Sequence, residues 1–329
     1  MIRYRYLLIK PHGPSYQKLH IENQGRRRIR SYHRTSIRCT PQLTVLMSDS
    51  NVWLITGTSS GFGRRLVSIV LERGDRVVAT ARSLQKIQDF PQSPNLHLLE
   101  LDVTAGTTAI KERVDEAAKV WGRIDVLVNN AGIGLPGILE ECGVDRLQRQ
   151  FRPNVFGVLD VTNAALPYMR ERKSGTVVII GSRSAWRPEI RGIGSYASSK
   201  AAVHVMGETL AVELASFNIR VLIVAPGAFR TENIYSNKFD TTHPIPDYDE
   251  TRAKALLRYE TVPGKQPGDP AKAMKIVVDV VRGEGVAVGR EWPLYLVLGE
   301  DAEQDVRNKC MKVLKHLDEW QDVIRDVNL

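Results

Sequence analysis

From Val52 onward, short apolar runs alternate with amphipathic segments, and this alternation constrains the fold more than any other feature of the chain. The runs predict strands over Val52–Thr56, Arg76–Ala81, Leu96–Leu101, Ile124–Asn129, Thr176–Gly181, Arg220–Ala225 and Leu294–Leu298. Between them, apolar residues recur at intervals of three and four, as in Ile110, Val114, Ala117, Trp121 and again in Val203, Met206, Leu210, Leu214, Phe217. That spacing is one face of a helix. Strand–helix alternation of this kind predicts an α/β fold in one domain, a doubly wound parallel sheet of about seven strands covered on both faces.

The chain has 329 residues and a formal net charge of +9, a balance that at first suggests a nucleic-acid partner. Position decides otherwise. Residues 1–46 hold ten Lys and Arg against Glu22 alone, and from Met47 to Leu329 the 36 basic and 36 acidic residues balance. No evenly basic surface that would follow a phosphate backbone is expected on the folded part, so no nucleic-acid partner is expected. The basic segment shows no sustained periodicity and reads as a disordered leader, either non-native or a targeting sequence. A cytoplasmic location is expected, or a mitochondrial one if the leader is a transit peptide. The longest apolar runs are about five residues, far short of the roughly 18 needed to span a bilayer. The three cysteines, Cys39, Cys142 and Cys310, lie far apart without His partners at metal spacing, so neither a disulfide framework nor a metal site is expected.

After the sixth strand the alternation breaks. Residues 231–265 are rich in Pro, Asp, Thr and Tyr and read as a substrate-binding loop, with Tyr235, Phe239 and Tyr248 as candidate apolar walls. Asp269-Pro270 then reads as an N-cap followed by a first-turn proline. A last helix is expected over 300–324, its face of Val306, Cys310, Val313, Leu317, Trp320 and Ile324 packing on the sheet edge or on a partner subunit.

Directly after the first strand stands Thr56-Gly57-Thr58-Ser59-Ser60-Gly61-Phe62-Gly63, followed by a helical run. Glycines there let the backbone turn tightly and approach a pyrophosphate, and the free N–H groups of the next helix favour the anion. Farther along, Tyr196 and Lys200 are four residues apart, which on a helix puts them on one face. A phenol near its reference pKa of about 10 is rarely ionised at pH 7. An ammonium at about 4 Å offers on the order of 4 kcal/mol at an effective dielectric near 20, where about 1.4 kcal/mol moves a pKa by one unit.

The T-G-x-x-x-G-x-G spacing, with Asn129-Asn130-Ala131-Gly132, Tyr196-Ala-Ser-Ser-Lys200 and Pro226-Gly227 in that order, resembles the short-chain dehydrogenase/reductase family over about Val52–Thr231. Gly268-Asp269-Pro270 and Leu298-Gly299-Glu300-Asp301 resemble its 17β-hydroxysteroid dehydrogenase branch. The resemblance implies interconversion of a ketone or aldehyde and an alcohol, with a nicotinamide cofactor exchanging hydride. It assigns Tyr196 as acid/base and as a cofactor contact, and Lys200 as its tuning partner and ribose ligand. Ser182 would orient the carbonyl, with Ser184 as the alternate, and Asn154 would hold a relay water. Gly57, Ser59, Ser60, Gly61, Phe62 and Gly63 would cradle the cofactor phosphates. Asp102 with Val103 would meet the adenine, Asn130, Ala131 and Gly132 the adenosine ribose side, and Pro226, Gly227, Phe229 and Thr231 the nicotinamide.

Where an NAD-binding member carries an acid after the second strand, this chain has Ala81 and then Arg82. A guanidinium suits a 2′-phosphate, so NADP(H) is expected over NAD(H). Pro153, just before Asn154, is expected to kink the helix there and so expose a carbonyl for the water. His204 is expected to pack rather than relay protons, while Trp186, Arg187 and Arg191 either border the substrate or brace their loop. Steroid, polyketide, retinoid-like and simple aliphatic carbonyls all remain open, as does a homodimer or homotetramer. The rival reading is a protein that binds NADP(H) for regulation without catalysis.

Overall fold

The computed structural model describes residues 50–232 and 235–327; the basic segment 1–46 lies outside the described residues. All seven expected strands form, as β1 (Val52–Ile55), β2 (Arg76–Ala81), β3 (Leu96–Glu100), β4 (Val126–Asn129), β5 (Gly175–Ile180), β6 (Ile219–Pro226) and β7 (Tyr295–Leu298). They pair in parallel in the order β3-β2-β1-β4-β5-β6-β7.

Side chains alternate across this sheet, and each face has its own core. Leu54, Val78, Leu127, Val177, Ile179 and Ile223 meet α2 (Thr107–Trp121), α4 (Gly157–Arg172) and α5 (Gly194–Leu214). Trp53, Ile55, Val77, Ala79, Val178 and Leu222 meet α1 (Gly61–Glu72) and α7 (Pro270–Arg282). Burial on both faces explains why the strands read as nearly unbroken apolar runs. As expected, Asp269 caps α7, its carboxylate accepting the N–H groups of Ala271 at 2.8 Å and Lys272 at 3.3 Å.

Because every strand runs the same way, the segments after β1, β2, β4, β5, β6 and β7 converge on one edge. The strand order reverses between β1 and β4, and the crevice outside the carboxyl ends at such a reversal is where open α/β sheets bind ligands. Thr56–Gly63, Arg82, Asn130–Gly132, Ser182 and Gly227–Thr231 all follow strands at this edge, and Pro226 closes β6 there.

Three expectations are corrected. Residues 231–265 are not all loop, since α6 (Asp249–Thr261) forms within them. Only Arg252 and Ala255 of α6 are buried, so the apolar periodicity that signals a helix is nearly absent. The final helix breaks at Trp320 into α8 (Glu300–Glu319) and α9 (Gln321–Arg325). Its sheet-edge packing is confined to the first turns, at Ala302 and Asp305, while Val313, Leu317, Trp320 and Ile324 are exposed. Around Pro153 the interruption takes the form of one π-turn (Arg152–Phe156) between α3 (Leu139–Phe151) and α4, with Gly157 N–H reaching back five residues to Arg152 O.

Candidate active site

The phosphate loop is built from close backbone approaches. Gly57 has φ +71° and a Cβ there would lie 2.8 Å from Ala131 Cα; one on Gly63 would lie 2.5 Å from Gly57 O and from Asn130 Nδ2. Thr56 Oγ1 accepts the N–H groups of Asn130 and Ala131, both at 3.0 Å. Asn130 Nδ2 donates to Thr56 O at 2.8 Å and Gly57 O at 2.9 Å. The Asn130 amide therefore braces the loop instead of reaching outward. The loops after β1 and β4 are thus sewn into one cradle that larger side chains would fill, and it fits a nucleotide pyrophosphate at the start of α1. Phe62 packs edge-on against Phe229 at 5.5 Å between ring centres.

Other expected cofactor residues stand at the same rim. Arg82 is exposed just past β2. Asp102 Oδ1 accepts the N–H and hydroxyl of Thr104, both at 2.8 Å, a local turn bond that leaves Oδ2 for other partners. Val103 is buried against Gly157. Thr231 lies beside Gly61. Glu232 gave no signal in the sequence, yet its carboxylate accepts Gly61 N–H at 2.9 Å and pairs with Arg65 at 2.6 Å, at the opening of α1. Those bonds hold it down to a pKa of about 2, chiefly through Arg65.

The catalytic candidates converge where β5 meets α5. Ser182 stands two residues past β5, its Oγ accepting Ser184 N–H at 3.1 Å, and its hydroxyl lies near enough to the Tyr196 phenol to lower that group's pKa. Ser184, the alternate, sits within the short 3-10 turn Arg183–Ala185 with its N–H on Ser182 Oγ. Lys200 Nζ lies 5.8 Å from the Tyr196 ring centre and donates to Ile180 O at 2.7 Å. Asn154 is buried: Oδ1 accepts Ile133 N–H at 2.9 Å, and Nδ2 donates to Ile133 O at 2.9 Å and Ser199 Oγ at 3.1 Å. Gly132 lies between them, since a Cβ there would be 3.1 Å from Asn154 Oδ1 and 3.8 Å from Lys200 Nζ.

The residues flanking Ser182 brace their loop. His204 Nε2 accepts Ser182 N–H at 3.2 Å, and its ring meets Trp186 at a tilt and Tyr295 edge-on, at 4.6 and 5.6 Å between ring centres. Burial lowers His204 to a pKa of about 3, so it stays neutral and acts as packing. Arg187 pairs with Asp305, and Arg191 is exposed. In the substrate segment Tyr235 and Phe239 both pack on Tyr259, at 5.0 and 6.2 Å, while Tyr248 instead points its hydroxyl at the exposed Glu140.

Comparison with known proteins agrees with this geometry. A family model described as short chain dehydrogenase matches residues 51–240. The oxidoreductase BOA17 of Botryotinia fuckeliana is 32% identical over 278 residues, which is 83% of this chain and 98% of that protein. A solved short-chain dehydrogenase from Streptomyces avermitilis is 36% identical with a TM-score of 0.73, covering 85% of this chain and 100% of that one. The chain belongs to the short-chain dehydrogenase/reductase family. Another solved structure, ElxO with NADP bound, is 25% identical with a TM-score of 0.60, covering 76% of this chain and 96% of that one. As a member of this family the chain is an oxidoreductase that uses a nicotinamide cofactor.

For this dehydrogenase the electrostatics of the tyrosine differ from the expectation of a lysine-lowered phenol. Burial raises the Tyr196 pKa, the Ser182 hydroxyl opposes that rise, and the Tyr235 phenol adds to it. The Lys200 ammonium meanwhile donates to the Ile180 carbonyl at 2.7 Å. Burial in turn lowers Lys200 to a pKa of about 8. Desolvation dominates both groups, as it does wherever a charged form leaves water for a closed site.

Proposed function

We propose that this protein is an NADP(H)-dependent carbonyl reductase acting on the ketone or aldehyde side of an alcohol couple, with Tyr196 as its general acid. The observation that carries this reading is the gathering of Tyr196, Lys200 and Asn154 around Gly132 beside the phosphate loop, with Ser182 near the phenol and burial keeping that phenol protonated. A phenol in that state is the acid that reduction needs, and a poor base for oxidation. When bound, the nicotinamide supplies the hydride for the carbonyl carbon. Ser182 Oγ orients and polarises the carbonyl oxygen, and the Tyr196 hydroxyl gives it a proton. Lys200 replenishes that proton and holds the nicotinamide ribose. Since the Asn154 amide is committed to Ile133 and Ser199, a relay water there would take the Asn154 backbone carbonyl within the π-turn. Gly57 through Gly63 hold the pyrophosphate, Asp102 and Val103 the adenine side, and Pro226, Gly227, Phe229 and Thr231 the nicotinamide. Asn130 supports this cradle from behind, with Ala131 and Gly132 facing the ribose. Loss of NADPH absorbance against a panel of ketones and aldehydes tests the activity.

Arg82 carries the cofactor preference. Arg82→Ala is expected to lower selectivity for NADPH over NADH by at least about tenfold, since a hydrogen bond to a charged group contributes about 1.5–3 kcal/mol. The ratio of kcat/KM values for the two cofactors measures it, and an unchanged ratio contradicts the role.

The pH profile has a predicted sign. The raised phenol pKa keeps the acid protonated across the neutral range, whereas Lys200 loses its proton as pH rises through about 8. Reduction should therefore be level near neutrality and fall above about pH 8. In Lys200→Met that limb should vanish along with most of the rate.

A cytoplasmic homodimer or homotetramer from the 17β-hydroxysteroid dehydrogenase-like branch is the setting that fits this reading. The apolar side chains left exposed on α8 and α9 are available to a partner subunit. Among the described residues no helix is long and apolar enough to cross a membrane, and no His, Cys, Asp or Glu cluster could hold a metal ion.

A further inference from the structure

The first turns of α8 reach back into the active site. Asp301 Oδ2 accepts Ala228 N–H at 2.9 Å and pairs with Arg183 Nη1 at 2.7 Å. Its other oxygen presses on Gly227, where no side chain would fit. The buried Asp305 takes the same Arg183 nitrogen at 3.0 Å and Arg187 at 3.1 Å. Arg183 directly follows Ser182, whose N–H is already fixed by His204 Nε2. One carboxylate thus touches both the turn after β6 and, through one guanidinium, the turn after β5.

We propose that Asp301 is a positioning residue. It ties the Ser182 turn, through Arg183, to the Gly227–Ala228 turn beside the nicotinamide, so the start of α8 holds the carbonyl-polarising hydroxyl in register with the cofactor. The proposal rests on the roles given above to Ser182 and Gly227. Its physical basis is the partial burial of the pair, with 13% of the Arg183 side chain and 30% of that of Asp301 exposed. Neither group is freely solvated, so the bond is screened less than a surface ion pair and constrains both turns. Asp305 retains Arg183 when Asp301 is neutralised, so the fold keeps one buried ion pair while the link between turns is lost.

The test compares the full chain with Asp301→Asn, and with Glu303→Gln as a control at an exposed ion pair on the same helix. Without cofactor, amide hydrogen exchange in peptides covering 181–187 and 225–232 should rise together in Asp301→Asn and in neither segment of the control. With NADPH bound, kcat for carbonyl reduction should fall about 10- to 100-fold, the scale of a misplacement near 1 Å, while the NADPH dissociation constant changes less than about threefold. Arg183→Gln should give the same loss, and the double variant should lose no more than either single one. If Arg183→Gln does not fold, exchange in Asp301→Asn decides alone. Faster exchange confined to 225–232 would overturn the proposal, as would an unchanged kcat in Asp301→Asn. If the unsubstituted protein reduces no carbonyl, the catalytic reading fails, and the exchange experiment still reports whether the two turns are linked.

Discussion

Tyr196→Phe is expected to lower kcat for carbonyl reduction by about 10²- to 10⁴-fold, the range for removing a positioned general acid. The phenol lies near the Ser182 hydroxyl and within one helical turn of Lys200. Affinity for NADPH should be nearly unchanged, because the cradle of Gly57, Gly63, Asn130 and Ala131 does not involve this ring. The separation of the two readouts matters. A variant that loses binding and rate together has lost structure, whereas one that loses rate alone has lost the acid. Stopped-flow NADPH consumption and fluorescence titration measure them separately. Full activity in Tyr196→Phe would remove the tyrosine from the mechanism.

Gly63→Ala should act in the opposite way, on cofactor affinity before chemistry. Its methyl would meet Gly57 O and Asn130 Nδ2, each at 2.5 Å, and the first of these is backbone that cannot swing aside as a flexible side chain would. Overpacking of this kind costs about 1–3 kcal/mol. Expressed in the phosphate loop, that is a roughly 5- to 150-fold weaker NADPH complex. Binding as tight as in the unsubstituted protein would mean that the loop is not the phosphate cradle.

What the sequence made legible follows from where each signal resides. The five inner strands were readable because they are buried on both faces, so composition alone marks them, and the ends of all seven fall within two residues of expectation. Asp269 was readable because capping is local, between a side chain and N–H groups two and three residues on. Pro153 announced an interruption but not its form, since a missing N–H fixes where a ladder fails and not whether a π-turn or a kink follows. Helix α6 went unread because it turns so little apolar surface inward.

The site divides in the same manner. Tyr196 and Lys200 are neighbours on one helix, and their pairing could be counted off. Ser182 and Ser184 both satisfied the spacing, and only the turn that folds Ser184 back separates them. Glu232 reaches Gly61 across 171 positions and Asp301 reaches Ala228 across 73. Neither contact leaves any local trace. The raised Tyr196 pKa was equally out of reach, because it depends on enclosure by distant parts of the chain.

The most direct measurement of hydride transfer uses NADPH deuterated at the reactive nicotinamide carbon, mixed with this protein and a ketone that it turns over. Carbonyl reduction predicts an alcohol one mass unit heavier, with the deuterium on the carbinol carbon, formed at a rate that collapses in Tyr196→Phe. A protein that binds NADPH tightly yet transfers no deuterium to any ketone or aldehyde, with or without Tyr196, would contradict the account and identify a nucleotide sensor.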